Sequence, residues 1–112
     1  MWEGDSRKVL GGFPASIRAK IGQDLMRLQL GETPLNSRPM QSIGRGVFEL
    51  RAVNDAGWYR VVYLQRVERR IFVLHSLVKK SAKTPTNDLK IATDRLKEVR
   101  RRLEQEKRDA RK

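Results

Sequence analysis

The chain has no cysteine and a single histidine, His75. These absences exclude a disulfide framework and a thiolate metal site, and they leave too few ring nitrogens for a protein-bound zinc, so no metal or cofactor is expected. Aromatic residues make up only 6% of the sequence, so a core must be built mainly from aliphatic side chains. No apolar run approaches the length of a membrane span and the N-terminus carries no apolar signal region, so the expected location is cytoplasmic, with no membrane partner. Negative charge is the other shortage. Against 25 Lys and Arg stand 13 Asp and Glu, a formal net charge of +12. That excess points to a polyanionic partner, either nucleic acid or an acidic protein surface.

What is present suits one small soluble domain over residues 1–112, at 38% hydrophobic and 34% charged. Met1 to Gly4 is too short to predict as a strand. Asp5 or Ser6 can cap a short helix through Val9 and Leu10, closed by Gly11-Gly12. Pro14 stands where a first helical residue belongs. Ile17, Ile21, Leu25 and Leu28 follow at helical spacing as far as Gly31, a stripe that packs on a sheet. Gly22 within it is read as a mark of close packing. Glu32 to Pro39 reads as loop, and Met40 to Ile43 as a short strand before a turn at Gly44-Arg45-Gly46.

Three β-rich runs then follow closely: Val47 to Val53, Trp58 to Gln65 and Ile71 to Val78. Asn54 to Gly57 between the first two has turn chemistry, with Gly57 free to take a positive φ, and Arg66 to Arg70 reads as a looser hairpin with charged tips. Runs so close together have no room for parallel crossovers, so they form an antiparallel meander. Thr84-Pro85 or Thr86 opens a last helix, whose stripe is Leu89, Ala92, Leu96, Val99 and Leu103. Residues 104–112 bury little and are expected to be a frayed or solvated end. The fold class is therefore α+β: two N-terminal helices, a sheet of three to four antiparallel strands, and a C-terminal helix.

Strand alternation places Arg60 with Val62 and Leu64 on one face, and Tyr59, Val61 and Tyr63 on the other. It places His75 with Ile71 and Val73. An arginine in a middle strand keeps its charge and must reach solvent, a carboxylate or a phosphate. Arg51 and Arg60 are thus either cross-strand partners of Glu49 or Asp55, or phosphate ligands. His75 is either a hydrogen-bonded core residue or an acid–base group. Trp58, Tyr59 and Tyr63 either pack the sheet or stack on bases, with Trp58 at the edge of a turn. Lys79, Lys80 and Lys83 form a basic segment after the last strand, either a solvated turn or part of a site.

Several ordered segments carry a resemblance. They are W-E-G-D-S (Trp2 to Ser6), G-F-P-A-S-I-R (Gly12 to Arg18), R-P-M-Q-S-I-G-R-G-V (Arg38 to Val47), E-L-R (Glu49 to Arg51), Y-R-V-V-Y (Tyr59 to Tyr63) and V-L-H-S-L-V-K-K-S-A-K-T-P (Val73 to Pro85). Together they resemble the RelE/ParE toxin superfamily, with the phage-derived, HigB-like branch the nearest, up to about Leu103. Relatives of that branch enter the first segment from a longer strand, so this chain is expected to start late.

The resemblance implies a RelE-like fold and the toxin of a type II toxin–antitoxin pair. It implies metal-independent, ribosome-dependent cleavage of mRNA by attack of the RNA 2′-hydroxyl on its own phosphate. Arg60 and Lys80 match positions that stabilise the transition state, and His75 or a lysine would be the acid or base. Arg51, Trp58, Tyr63, Lys79 and Lys83 would bind RNA. The partners implied are a cognate antitoxin, of acidic or helix-turn-helix type, together with mRNA and the ribosome. The chain departs from RelE in having no tyrosine after Tyr63, and in Glu49 where a lysine would help, so the acid–base group stays open. Two other readings fit the same segments: a ParE-like, non-catalytic toxin that binds DNA gyrase, and an inactive prophage-derived RNA-binding protein.

Overall fold

The Asn54 side chain accepts the amides of Ala56 and Gly57 at 2.9 and 3.1 Å, and this local turn reverses the chain between the two strands on either side of it. The computed structural model describes residues 1–67, 70–79 and 85–111, with the side chains of Arg66 and Val67 left aside. Its elements are α1 (Ser6–Gly11), α2 (Ala15–Gln29), β1 (Ser37–Pro39), β2 (Val47–Asn54), β3 (Gly57–Val67), β4 (Arg70–Lys79) and α3 (Thr86–Ala110). The strands lie in sequence order, each antiparallel to the next. Met1 to Glu3 add an isolated parallel bridge to the outer edge of β4, through Glu3 N–H to Val73 O at 2.9 Å and Val73 N–H to Met1 O at 2.8 Å. No helix among the described residues is long and apolar enough to cross a membrane.

The sheet is a middle layer. On one face Leu50, Ala52, Tyr59, Val61, Tyr63, Ile71 and Val73 are buried against Phe13, Ile17, Ile21 and Leu28 of the N-terminal segment. On the other, Val47, Val62, Leu64, Phe72, Leu74 and Leu77 are buried against Ala92, Leu96 and Val99 of α3. Each buried aliphatic side chain contributes about 1.5–3 kcal/mol, so these two stripes hold the helices to the sheet. The stripes are those of the hydrophobic spacing. Gly31 ends α2 with φ +80°, and the amides of Gly31 and Glu32 turn back to Leu28 O and Arg27 O, a Schellman closure.

Four local expectations change. The short strand forms at Ser37–Pro39, inside the expected loop, and Met40 to Ile43 turn instead. The cause is Asp24, buried on α2, whose carboxylate takes the amides of Leu35 and Asn36 at 2.9 and 3.3 Å and presents the next residues to β2. Gly22 faces open space, since an added Cβ meets nothing within 4 Å. Gly57 is needed for proximity and not for a positive φ: a Cβ there lies 2.7 Å from the Lys79 carbonyl oxygen. The C-terminal stretch, read as a frayed or solvated end, is an exposed helix to Ala110; no Gly or Pro interrupts it and Arg70 grips Glu106 with bonds of 3.1 and 2.7 Å.

The fourth change turns His75 over. Val62 pairs with His75 but Tyr63 pairs with Val73, so Leu74 is the extra residue of a β-bulge. Ile71 and Val73 face the N-terminal helices, while Leu74 packs on the α3 side. His75, opposite Val62, also faces α3. Simple alternation would have put it with Ile71 and Val73.

Candidate functional site

Arg51 on β2 and Arg60 on β3 are register partners, so their side chains leave the same face side by side. Two guanidiniums opposite each other repel, and the sequence supplies one carboxylate between them. Glu49 lies two residues before Arg51 on the same face, with Oε1 2.6 Å from Arg51 Nε and Oε2 3.7 Å from Arg60 Nη1. Arg60 is only 2% exposed, and Arg51 is partly open to solvent. Burial pulls the Arg60 guanidinium below its usual range, Glu49 opposes that shift, and the charge of Arg51 adds to it. It remains a cation at neutral pH because arginine starts so far above it.

Trp58 is opposite Val53 on one side and Lys79 on the other, and the Arg51 guanidinium carbon stands 6.0 Å from the centre of the Trp58 ring. β1 pairs with residues 48–50 and the Arg51 amide donates to Asn36 O at 3.0 Å, so the pairing along this edge of β2 ends at Arg51. A cleft of about 410 Å³ opens there, walled by Lys20, Asn36, Arg38, Arg51, Val53 and Trp58. It is a basic surface with one half-buried aromatic ring, suited chemically to a phosphate chain and a stacked base.

Of the other expected site residues that the structure describes, Tyr63 and His75 do not line this cleft. Tyr63 is 2% exposed on the opposite face, its hydroxyl 2.8 Å from Ser37 Oγ and its ring stacked on Phe48 at 5.9 Å. Burial raises its pKa above the usual phenol value, Ser37 partly offsets this, and Asp24 adds to it. His75 sits under α3. Its Nε2 is 2.7 Å from Asp88 Oδ1, and its Nδ1 is 3.2 Å from Arg95 Nη1. A guanidinium only donates, so Nδ1 accepts and Nε2 carries the proton to Asp88. Arg95 also donates to Leu74 O at 3.0 Å and pairs with Asp5 at 2.9 Å, and Lys79 Nζ lies 3.5 Å from the second oxygen of Asp88. This chain of contacts ties α1, β4 and α3 together. Lys80 and Lys83 lie outside the described residues.

Sequence reasoning missed Lys20 and Arg38 as walls of the cleft, and Asp88 and Arg95 as the setting of His75. Helix periodicity marks Lys20 only as a solvated position. Arg38 could have been found from its pairing opposite Glu49, but only with β1 placed correctly.

A family model described as "Phage derived protein Gp49-like" matches residues 8–97, most of the chain. The chain belongs to that family, which is a family of toxin–antitoxin toxins related to the RelE/ParE fold. A search of the curated proteins finds no match.

Proposed function

We propose that this Gp49-like protein is the toxin of a type II pair of the HigB-like branch and acts as a ribosome-dependent mRNA endoribonuclease. The observation that supports the reading is the Arg51–Arg60 pair with the Glu49 carboxylate between them, set beside Trp58 and Lys79. In the reaction, the RNA 2′-hydroxyl attacks the adjacent phosphorus as its proton leaves. The bond to the 5′-oxygen breaks and that oxygen takes up a proton, giving a cyclic phosphate and a free 5′-hydroxyl. The attack builds negative charge on the phosphate oxygens, and fixed cations lower that barrier.

Arg51, with its exposed flank, contacts those oxygens, and Arg60 beneath it adds positive potential from a site water does not reach. Lys79 continues the basic rim, and the resemblance assigns Lys80 to transition-state charge, Lys83 to RNA binding and a lysine of this segment to protonation of the leaving oxygen. Trp58 stacks a base. His75 enters as the residue that fixes the first turn of α3 against β4, since both of its ring nitrogens are already engaged. Tyr63 enters as packing beneath the RNA-binding face. The antitoxin, of helix-turn-helix type, neutralises the protein by covering this basic rim.

One observation favours a second reading. Arg60, at 2% exposure, has Glu49 for a neighbour and does not open to the cleft, which suits a ParE-like protein that binds gyrase without catalysis. Induction of wild type, Arg51→Ala and Arg60→Ala in a bacterial host, with growth followed and mRNA 5′ ends mapped, separates the two. New 5′-hydroxyl ends within translated frames, lost in Arg51→Ala, support the ribonuclease. Growth arrest without new RNA ends supports the gyrase-type reading.

A further inference from the structure

At the other end of β2 a second groove, of about 590 Å³, opens between the turn at residues 44–46 and α3. Its floor is Leu64 and Leu103, and its wall carries Arg45, Arg100 and Lys107. Each of the three cations is exposed, and among the described residues none forms an ion pair. Arg100 is nonetheless held in place, since Nη2 donates to the Arg45 carbonyl at 2.7 Å. The turn that offers this carbonyl is fixed by its glycines. Gly46 has φ +79°, and a Cβ on Gly44 would lie 2.6 Å from Leu96 Cδ2.

Three cations gathered on one wall repel one another unless an anion shares the place. Guanidinium forks match phosphate oxygens in shape as well as in charge. The first cleft lies at the far end of β2 from this groove. A shallow depression along Pro39, Gln41 and residues 44–48 shares Arg45 and Gly46 with the groove, and begins one residue after Arg38, which walls the cleft. Val47 and Arg51 mark the two ends along β2, about 13 Å apart at the rise of a strand.

We propose that the Arg45–Arg100–Lys107 groove binds the phosphate backbone of single-stranded RNA, as a second contact for the strand that enters the Arg51–Trp58 cleft. This rests on the ribonuclease reading for the identity of the strand. Glu104, the one acid lining the groove, opposes the interaction.

The test is fluorescence anisotropy of a labelled short oligouridylate across a salt series. It compares wild type, the triple variant Arg45→Gln, Arg100→Gln, Lys107→Gln, and Glu104→Gln, with thermal melts to verify folding of these exposed-site variants. Single-strand binding falls with salt by about 0.7 log units per phosphate contact. The triple variant is therefore expected to lose about 2 from the slope of log affinity against log salt and to bind more weakly, while Glu104→Gln binds a few-fold more tightly. A folded triple variant with unchanged affinity and slope overturns the proposal. So does polyglutamate that competes as well as RNA through the same three residues, which assigns the groove to an acidic protein segment. Unchanged RNA binding by the triple variant beside intact mRNA cleavage in cells sinks the groove alone. Groove-dependent RNA binding with no cleavage in cells sinks the ribonuclease reading and leaves the groove.

Discussion

Asp88, in the first turn of α3, holds Nε2 of His75 at 2.7 Å while Arg95, two turns further along the same helix, holds Nδ1 at 3.2 Å. The single histidine of the chain thus connects a strand to a helix from both ring nitrogens. Its proton is fixed on Nε2 by the neighbour that can only donate.

Removing Asp88 leaves a nearly buried N–H without its acceptor. Asp88→Ala is expected to cost about 2 kcal/mol, and Asp88→Asn less, because an amide oxygen still accepts from Nε2. Urea denaturation of the three proteins gives the order wild type, Asn, Ala. If His75 were instead the catalytic acid or base, Asp88→Asn would change the pH profile of toxicity without this ordering in stability.

Glu49 and Arg60 predict an asymmetry. Glu49→Ala leaves Arg60 and Arg51 facing each other without a shared carboxylate, Arg60 in a buried position, at a cost of about 3–5 kcal/mol. Arg60→Met leaves Glu49 still bound to Arg51 at 2.6 Å and replaces a buried charge with an apolar chain of similar length, so its cost is smaller. Chemical denaturation that finds the two equal would show that Glu49 does not hold this pair together.

The parts legible in the sequence were those with a simple period. The stripe at Ile17, Ile21 and Leu28 and that at Ala92, Leu96 and Val99 read correctly because helical spacing alone decides which face is buried. The face of Arg60 read correctly because β3 alternates regularly from Trp58 to Leu64. His75 did not, because the bulge at Leu74 shifts the alternation by one, and nothing in V-L-H-S marks it. The strand at Ser37–Pro39 was hidden because its position depends on Asp24, a helix residue distant in sequence that satisfies the amides of Leu35 and Asn36. The cleft is legible only in part for the same reason: Arg51 and Trp58 come from regular strands, whereas Lys20 and Arg38 reach it through tertiary placement.

Two glycines give substitutions of opposite sign. Gly22 lies within α2 with open space at its Cβ position, so Gly22→Ala is expected to stabilise by about 0.5–1 kcal/mol through helix propensity. Gly57→Ala drives a methyl to 2.7 Å from the Lys79 carbonyl oxygen, and the backbone of β4 must move, at about 1–3 kcal/mol. Thermal melting measures both. Because Trp58, next to Gly57, lines the cleft, Gly57→Ala is also expected to lower RNA affinity.

Tyr63 sets an alkaline limit. Its pKa is raised from 10.0, first by burial, against a smaller opposing effect of the Ser37 hydrogen bond. The unfolded chain therefore ionises its tyrosine before the folded one does. The stability this contributes is complete below the unfolded value and is lost as pH rises from about 10 towards the folded value. Tyr63→Phe removes that dependence, so the variant loses less stability than wild type between neutral pH and pH above about 10. It gives up one hydrogen bond to Ser37, about 0.5–1.5 kcal/mol, at neutral pH. Urea midpoints across alkaline pH test this directly: the two curves should converge as pH rises. Parallel curves would mean that the phenol reaches water, and Tyr63 would then return as a candidate for contact with RNA.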